Sequence, residues 1–228
     1  YASRSQSSGM GEQALHAVVV SSRERGDVKT LLTTGTELVR QYPASDKVEG
    51  TLNMMIDNAV QMAQFRLVAD YLESFAQRMP DHKNTRDFLL QAGHIRKGLG
   101  QYDRSTRDYR RLLDLKPSDA AVSTETVFAV VDNDMKTGDK EEAIQVLSTY
   151  RDRLSDSGRI RADATIAALY LEAGDAKSAE PFLKRAEKAY PSKAAQDDAV
   201  LNRAMARMVY AALEDRKSTR LNSSHVSQ

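Results

Sequence analysis

A helix-ending turn and a proline recur along this chain at one fixed separation. The interval is 17 residues in four pairs: Gly26 and Pro43, Ala63 and Pro80, Gly100 and Pro117, and Gly174 and Pro191. Gly138 starts a fifth interval of the same length that ends on Ser155 instead of proline. Successive turns lie 37, 37, 38 and 36 residues apart. A period in this range is typical of arrays of one repeated supersecondary unit, so the sequence predicts five such units.

Each unit has the pattern of a helical hairpin. The first helix carries apolar residues three apart, which places them on one face; the pairs are Leu15/Val18, Leu52/Met55, Leu89/Ala92 and Val127/Val130. Glycine then ends this helix in the left-handed conformation, and the aspartate that often follows caps the second helix. Proline prevents the second helix from continuing. After Pro191, the apolar spacing over Asp197–Leu213 predicts one more first helix.

These residues resemble the tetratricopeptide repeats, and the third unit is the most similar. It has the small residue, the turn, the aromatic position and the closing proline at Gly93, Gly100, Tyr102, Tyr109, Leu112, Leu113 and Pro117. The resemblance covers about residues 12–214. It implies an all-α fold, a right-handed α-α superhelix built as a solenoid of helical hairpins. It also implies a non-enzymatic scaffold or adaptor that binds a peptide or protein segment in a concave groove.

The two ends of the chain do not follow the repeat. Asp215–His225 resembles one translated reading frame of a widely used sequencing adapter at all eleven residues. The sequence therefore predicts a flexible segment at 1–11 and a repeat domain at 12–214, with five hairpins and a truncated sixth first helix. It predicts an adapter-derived tail at 215–228. Because the chain opens with Tyr1 instead of Met, we interpret it as a fragment, and an upstream signal peptide or lipid anchor remains open.

Composition and charge narrow the functional classes. The chain has no cysteine, which excludes disulfides and thiol nucleophiles. Its net charge is +1, from 33 Lys and Arg against 32 Asp and Glu, and it becomes −1 without the tail. Nucleic acid is therefore an unfavoured partner. The longest uncharged run is the ten residues Gln13–Ser22, too short for a membrane span.

Candidate chemical motifs fail on spacing. His16, His82 and His94 do not match a metal-ligand pattern or a nucleophile elbow. Asp132-Asn133-Asp134 begins like a calcium loop, but Lys136 and Thr137 occupy positions that need an oxygen ligand and glycine. The basic third unit has interleaved acids at helical spacing, so we interpret it as a solvated face. The sequence predicts no catalytic, cofactor or metal site.

The resemblance implies that first helices line the partner groove. Counting from each turn, the partner-binding candidates are Asn53, Asp57, Leu90, His94, Lys97, Phe128, Asp132 and Lys136. Ala164 and Ala168 fall at the equivalent inward positions of the fifth unit. Leu90 and Phe128 are the expected apolar anchors, with Asp57, His94 and Asp132 setting the register. The expected partner is a protein or peptide; no small-molecule substrate is indicated.

Two alternatives to the adaptor remain open. One is a regulatory or substrate-binding module of a larger enzyme, which only neighbouring sequence would reveal. The other is an RNA-binding helical repeat, which would need a consistently basic groove. Segments Glu73–Pro80 and Leu38–Pro43 resemble those of bacterial cell-envelope tetratricopeptide proteins. This favours the periplasmic side of a bacterial cell envelope over the cytoplasm and suggests a role in envelope assembly.

Overall fold

The computed structural model describes residues 2–116, 119–190 and 198–225. Across those residues the chain is helical and has no strand, with eleven α-helices and one 3-10 turn. The helices are α1 (Ala2–Glu24), α2 (Val28–Gln41), α3 (Val48–Gln61), α4 (Phe65–Arg78), α5 (Thr85–Gly98), α6 (Tyr102–Asp114), α7 (Ala120–Thr137), α8 (Lys140–Tyr150), α9 (Asp156–Glu172), α10 (Ala176–Ala189) and α11 (Ala199–His225), and the 3-10 turn is Arg151–Arg153. The predicted all-α fold of consecutive hairpins is confirmed. Pro117 and Pro191 lie outside the described residues.

All five predicted turn residues adopt a left-handed backbone. Their φ angles are 69° at Gly26, 51° at Ala63, 71° at Gly100, 87° at Gly138 and 78° at Gly174. Glycine accepts this conformation without a steric penalty, whereas a Cβ costs about 1–2 kcal/mol. Ala63 therefore shows that the position in the repeat, and not the glycine, sets the turn.

Aspartates after three of these turns cap the following helices. The side chains of Asp27, Asp139 and Asp175 each accept a hydrogen bond from the backbone N–H three residues on, at 3.1, 3.1 and 3.0 Å. This bond satisfies one of the open N–H groups at a helix start. Gln64, at the equivalent position after Ala63, makes no side-chain cap bond. The second hairpin turn thus lacks both the glycine and the cap.

The chain divides into two compact units, an N-terminal unit (residues 1–112) and a C-terminal unit (113–228). In the N-terminal unit, α5 and α6 approach closely at Gly93, where an added Cβ would lie 2.4 Å from the Tyr109 ring. The hydroxyl of Ser105 donates to the Gly93 carbonyl at 2.8 Å. Ser105 therefore links the two helices of the hairpin.

The N-terminal unit also contains a partly buried ionic cluster, here called the Arg96 cluster: Asp70, Glu73, Arg96, Arg104 and Asp108. The Arg96 side chain is fully buried, and it donates from Nε to Glu73 at 2.6 Å and from Nη2 to Asp70 at 2.5 Å. Arg104 donates to the same two carboxylates at 2.7 Å each. Burial, then the negative charge of Glu73, raises the pKa of Asp108 to about 7. The cluster connects α4, α5 and α6.

In the C-terminal unit, α9 is the central helix. Its small and branched side chains are buried at most positions, including Ala164, Ala167 and Ala168, which pack with Leu201 and Met208 of α11. One buried carboxylate, Asp163, lies among these residues. It accepts hydrogen bonds from Arg151 at 2.7 and 3.1 Å and from Arg185 at 3.2 Å. Asp163 therefore connects α9 to the 3-10 turn and to α10.

Both terminal helices extend beyond the repeat domain expected from the sequence. Helix α1 begins at Ala2 and so includes residues 2–11, for which the sequence predicts a flexible segment. Helix α11 passes through Glu214 and ends at His225. Helix α11 includes most of the segment for which the sequence predicts a sixth first helix, and the domain bounds stay a prediction. No helix in the described part of the chain combines the length and the apolar character needed to cross a membrane.

Candidate functional site

The C-terminal unit contains a cavity of about 270 Å³ between α7, α9 and α11. Its lining combines apolar side chains with three arginines and one aspartate: Phe128, Val131, Asp132 and Met135 from α7, Arg161 and Thr165 from α9, and Val200, Arg203, Ala204 and Arg207 from α11. Three consecutive first helices of the repeat thus contribute to one site.

The sequence fixes the start of each of these helices. Asp119 caps α7 by accepting from the Ala121 N–H at 2.7 Å, and Ser155 caps α9 by accepting from the Gly158 N–H at 3.1 Å. Asp198 accepts from the N–H groups of Val200 and Leu201 at the start of α11, at 2.9 and 3.0 Å. These bonds are the usual stabilisation of helix N-termini.

Helices α7 and α9 also meet closely at their starts. The Ser155 N–H donates to the Thr124 hydroxyl at 2.8 Å, and a Cβ at Gly158 would lie 2.8 Å from the Thr124 methyl. Glycine is required there for this close approach. The local sequence therefore sets the spacing of the two cavity walls.

Arg161 stacks over Phe128 inside the cavity. The guanidinium carbon lies 3.5 Å from the centre of the Phe128 ring, a cation–π arrangement. Burial lowers the pKa of Arg161, against the charges of Asp132 and Asp198, which raise it. The group stays protonated, since arginine is not deprotonated in proteins. Arg161 therefore presents a positive charge, oriented by an aromatic ring, in a partly desolvated position.

The three arginines differ in their pairing. Arg207 donates two hydrogen bonds to Glu172, at 2.7 and 2.9 Å, and Lys140 lies 3.5 Å from the same carboxylate. The hydrogen bond from Arg207 lowers the pKa of Glu172. Arg161 and Arg203 form no ion pair within residues 2–116, 119–190 and 198–225. The cavity thus offers two guanidinium groups that no carboxylate of the described residues binds as an ion pair.

The structure brings two of the predicted partner-binding residues to this cavity. Phe128 forms part of its floor, and Asp132, one helical turn further along α7, is exposed at its side. Lys136 is exposed in the next turn of α7 and does not line the cavity. Ala164 and Ala168 are fully buried in the core, so they are not accessible to a partner.

The other five predicted residues lie in the N-terminal unit. On α3, Asn53 is half-buried, and Asp57 is exposed with its carboxylate 3.4 Å from Arg23. On α5, Leu90 and Lys97 are half-buried. His94 is exposed, and its ring packs edge-on against Tyr109 at 5.7 Å between centroids.

Sequence reasoning missed Arg161, Arg203 and Arg207. Counting from the turn selected Ala164 and Ala168 on α9, although α9 presents Arg161 and Thr165 to the cavity. A signal was present, because Arg161 is the one basic residue between Ile160 and Leu171. Arg203 and Arg207 are four apart, which places them on one face of α11.

The arrangement provides groups that are suited to binding. Guanidinium groups donate planar pairs of hydrogen bonds to oxyanions, and the aromatic and aliphatic floor accepts apolar side chains. Within the part of the chain that the structure describes, no cluster of three or more His, Cys, Asp or Glu residues is arranged to hold a metal ion.

Comparison with known proteins agrees with this fold. Residues 87–119 match the family model "Tetratricopeptide repeat", a range that includes most of α5 and all of α6. No curated protein sequence matches the chain.

Among solved structures, the chain is similar to MamA, with 15% identity, 84% of this chain and 98% of that chain covered, and a TM-score of 0.46. It is similar to a tetratricopeptide repeat protein from Parabacteroides merdae, with 15% identity, coverage of 92% and 77%, and a TM-score of 0.45. It is also similar to the repeats of a putative kinesin light chain from Podosopora anserina, with 13% identity, coverage of 78% and 93%, and a TM-score of 0.42.

The helical hairpins, the left-handed turns and the lining of one cavity by successive first helices define a helical-repeat protein. The third hairpin is of the tetratricopeptide type, as the family match over residues 87–119 shows. The resemblance drawn from the sequence is confirmed, and it was strongest in the unit that the family model covers.

Proposed function

We propose that this chain is a protein-interaction scaffold that binds a peptide or a protein segment through the cavity between α7, α9 and α11. Tetratricopeptide repeats commonly mediate protein–protein interaction and are generally non-catalytic. The observation that carries the proposal is the cavity itself, where Phe128 forms part of the floor and three successive first helices contribute to the lining. Two of its arginines, Arg161 and Arg203, have no ion-pair partner among the described residues. An extended segment that crosses these helices would contact all three.

The cavity volume agrees with this type of ligand. About 270 Å³ lies just below the roughly 300–1,000 Å³ typical of small-molecule sites. The space accommodates one or two side chains of a partner, and the remaining contacts would come from the helix surfaces around it. Partner recognition in such sites depends on a few anchored side chains.

A pair of matched variants tests the proposal. Val200 lines the cavity and is 39% exposed, whereas Val209, on the same helix, is 50% exposed and lies outside the cavity. Val200→Trp places a large ring at the cavity mouth, and Val209→Trp makes the same chemical change elsewhere. Because both positions are exposed, both variants are expected to fold, which circular dichroism and thermal melting check.

The assay is selection of a randomised peptide library on the immobilised full chain. We expect defined peptide sequences to be enriched by the wild type and by Val209→Trp. The Val200→Trp variant should no longer bind these peptides. Equal enrichment by both variants would place the binding surface elsewhere, and no enrichment by the wild type would refute the proposed function.

A further inference from the structure

We infer that the segment bound in this cavity is acidic, with a carboxylate held between Arg161 and Arg203 and a neighbouring apolar side chain against Val200. This inference rests on the proposed function and adds the chemistry of the partner. It is carried by the charge and the geometry of the cavity lining.

The cavity lining carries more positive than negative charge. Three guanidinium groups face one carboxylate, Asp132, and Arg207 is already bound by Glu172. Arg161 and Arg203 remain, and neither has an ion-pair partner in the described ranges. A negatively charged group is the complement of this lining.

Arg161 is the arginine of the cavity that is partly removed from water. Its guanidinium is partly desolvated and lies 3.5 Å above the Phe128 ring. Asp132 and Asp198 attract it, but no carboxylate among the described residues forms an ion pair with it. An incoming carboxylate that binds the guanidinium directly would offset its desolvation. The ring already fixes the plane of the guanidinium, so little conformational freedom is lost when it binds an oxyanion.

The cavity lining also has an apolar part. Phe128, Val131 and Val200 lie beside the arginines, so the cavity recognises a carboxylate and an aliphatic or aromatic side chain together. A peptide provides both groups on adjacent residues. The expected ligand sequence therefore has Asp or Glu next to Leu, Ile or Phe.

A peptide suits this site better than a nucleic acid. Asp132 and Glu172 lie around the same arginines, and they would repel a polyanionic backbone along the groove. Single-stranded nucleic acid binding usually needs a continuous basic groove with several stacking rings. The net charge of +1 does not provide a long-range attraction for polyanions.

The test uses the peptides selected by the full chain. We expect an excess of Asp and Glu beside an apolar residue in the enriched sequences. A fluorescein-labelled peptide of the enriched sequence should bind about tenfold more tightly than the same peptide with Asn and Gln in place of Asp and Glu. The amide-containing peptide binds more weakly because it cannot form the charge-assisted hydrogen bonds. Binding should weaken with added salt.

Three variants assign the effect to residues. Arg203→Glu should weaken binding of the acidic peptide at least about tenfold. Lys188→Glu is the matched control, because it makes the same charge reversal on the exposed side of α10, away from the cavity, and it should leave binding unchanged. Asp132→Asn removes a like charge from the site, so it should tighten binding by about threefold.

The outcomes separate this inference from the function on which it rests. Selected peptides without an acidic bias, or acidic peptides that bind Arg203→Glu as well as wild type, overturn the inference and leave a peptide scaffold. An absence of selected peptides overturns both. Binding of a polyuridine probe that is lost in Arg203→Glu, with no peptide selected, would assign the arginines to nucleic acid instead.

Discussion

The Arg96 cluster makes the stability of the N-terminal unit depend on pH near neutrality. Asp108, on α6, is 4% exposed and faces Glu73 on α4, Arg96 on α5 and Arg111 on its own helix. Its pKa is raised from 3.8 to about 7, so the folded state binds its proton more tightly than the unfolded chain does. This tighter proton binding at Asp108 therefore adds to the unfolding free energy in full below about pH 4, and the added stability is lost as the pH rises through about 7.

The size of the effect follows from the two pKa values. At about 1.4 kcal/mol per pKa unit, the difference between 3.8 and about 7 corresponds to about 4 kcal/mol at alkaline pH. Asp108→Asn keeps the shape of the neutral acid and cannot ionise. We expect its advantage in stability over the wild type to grow by about 3 kcal/mol between pH 5 and pH 8.

The assay is urea unfolding of both proteins at several pH values in this window, followed by far-UV circular dichroism. Asp103→Asn, on the exposed side of the first turn of α6, makes the same chemical change and should differ from wild type by a constant amount. If the difference between Asp108→Asn and wild type is also independent of pH, Asp108 is not the titrating group and the reasoning is wrong.

Three further substitutions, the last with a matched control, test the fold by urea unfolding. Ala63→Gly should raise the unfolding free energy by about 1 kcal/mol, since it removes the Cβ from a residue with φ of 51°; a decrease would contradict the left-handed turn. Gly93→Ala should lower it by about 1–3 kcal/mol, because the new methyl group would collide with Tyr109; an unchanged value would contradict the close approach. Asp163→Ala should lower it by about 2 kcal/mol, as two arginines lose their buried acceptor, whereas Asp152→Ala, at a fully exposed carboxylate, should have almost no effect.

The turns were predictable because they depend on local backbone geometry. A left-handed residue must end each first helix for the chain to reverse, so the 36- to 38-residue spacing identified the turns even where alanine replaces glycine. The apolar spacing predicted the hairpins for the same local reason. The Arg96 cluster was not predictable, since its charged residues come from three helices and resembled an ordinary solvated face in the sequence.

The cavity was predictable only in part. Counting from the turn selected Phe128 and Asp132 on α7, and both lie at the cavity, although their binding role stays a prediction. The same count failed on α9, where Ala164 and Ala168 are buried. Helix α9 is covered by α10 and α11, and its small residues allow that packing, so Arg161 takes the accessible position.

The two buried ionic groups limit how the hairpins of this protein can be rearranged. Apolar hairpin faces are chemically alike, and in repeats built from one consensus sequence they can be exchanged or duplicated. Here the carboxylates that bind Arg96 lie on α4, and the arginines that bind Asp163 lie on the 3-10 turn and α10. A shuffled or deleted hairpin would bury a charge beside an apolar neighbour, which is unfavourable. These charges therefore restrict the order in which the hairpins can follow one another.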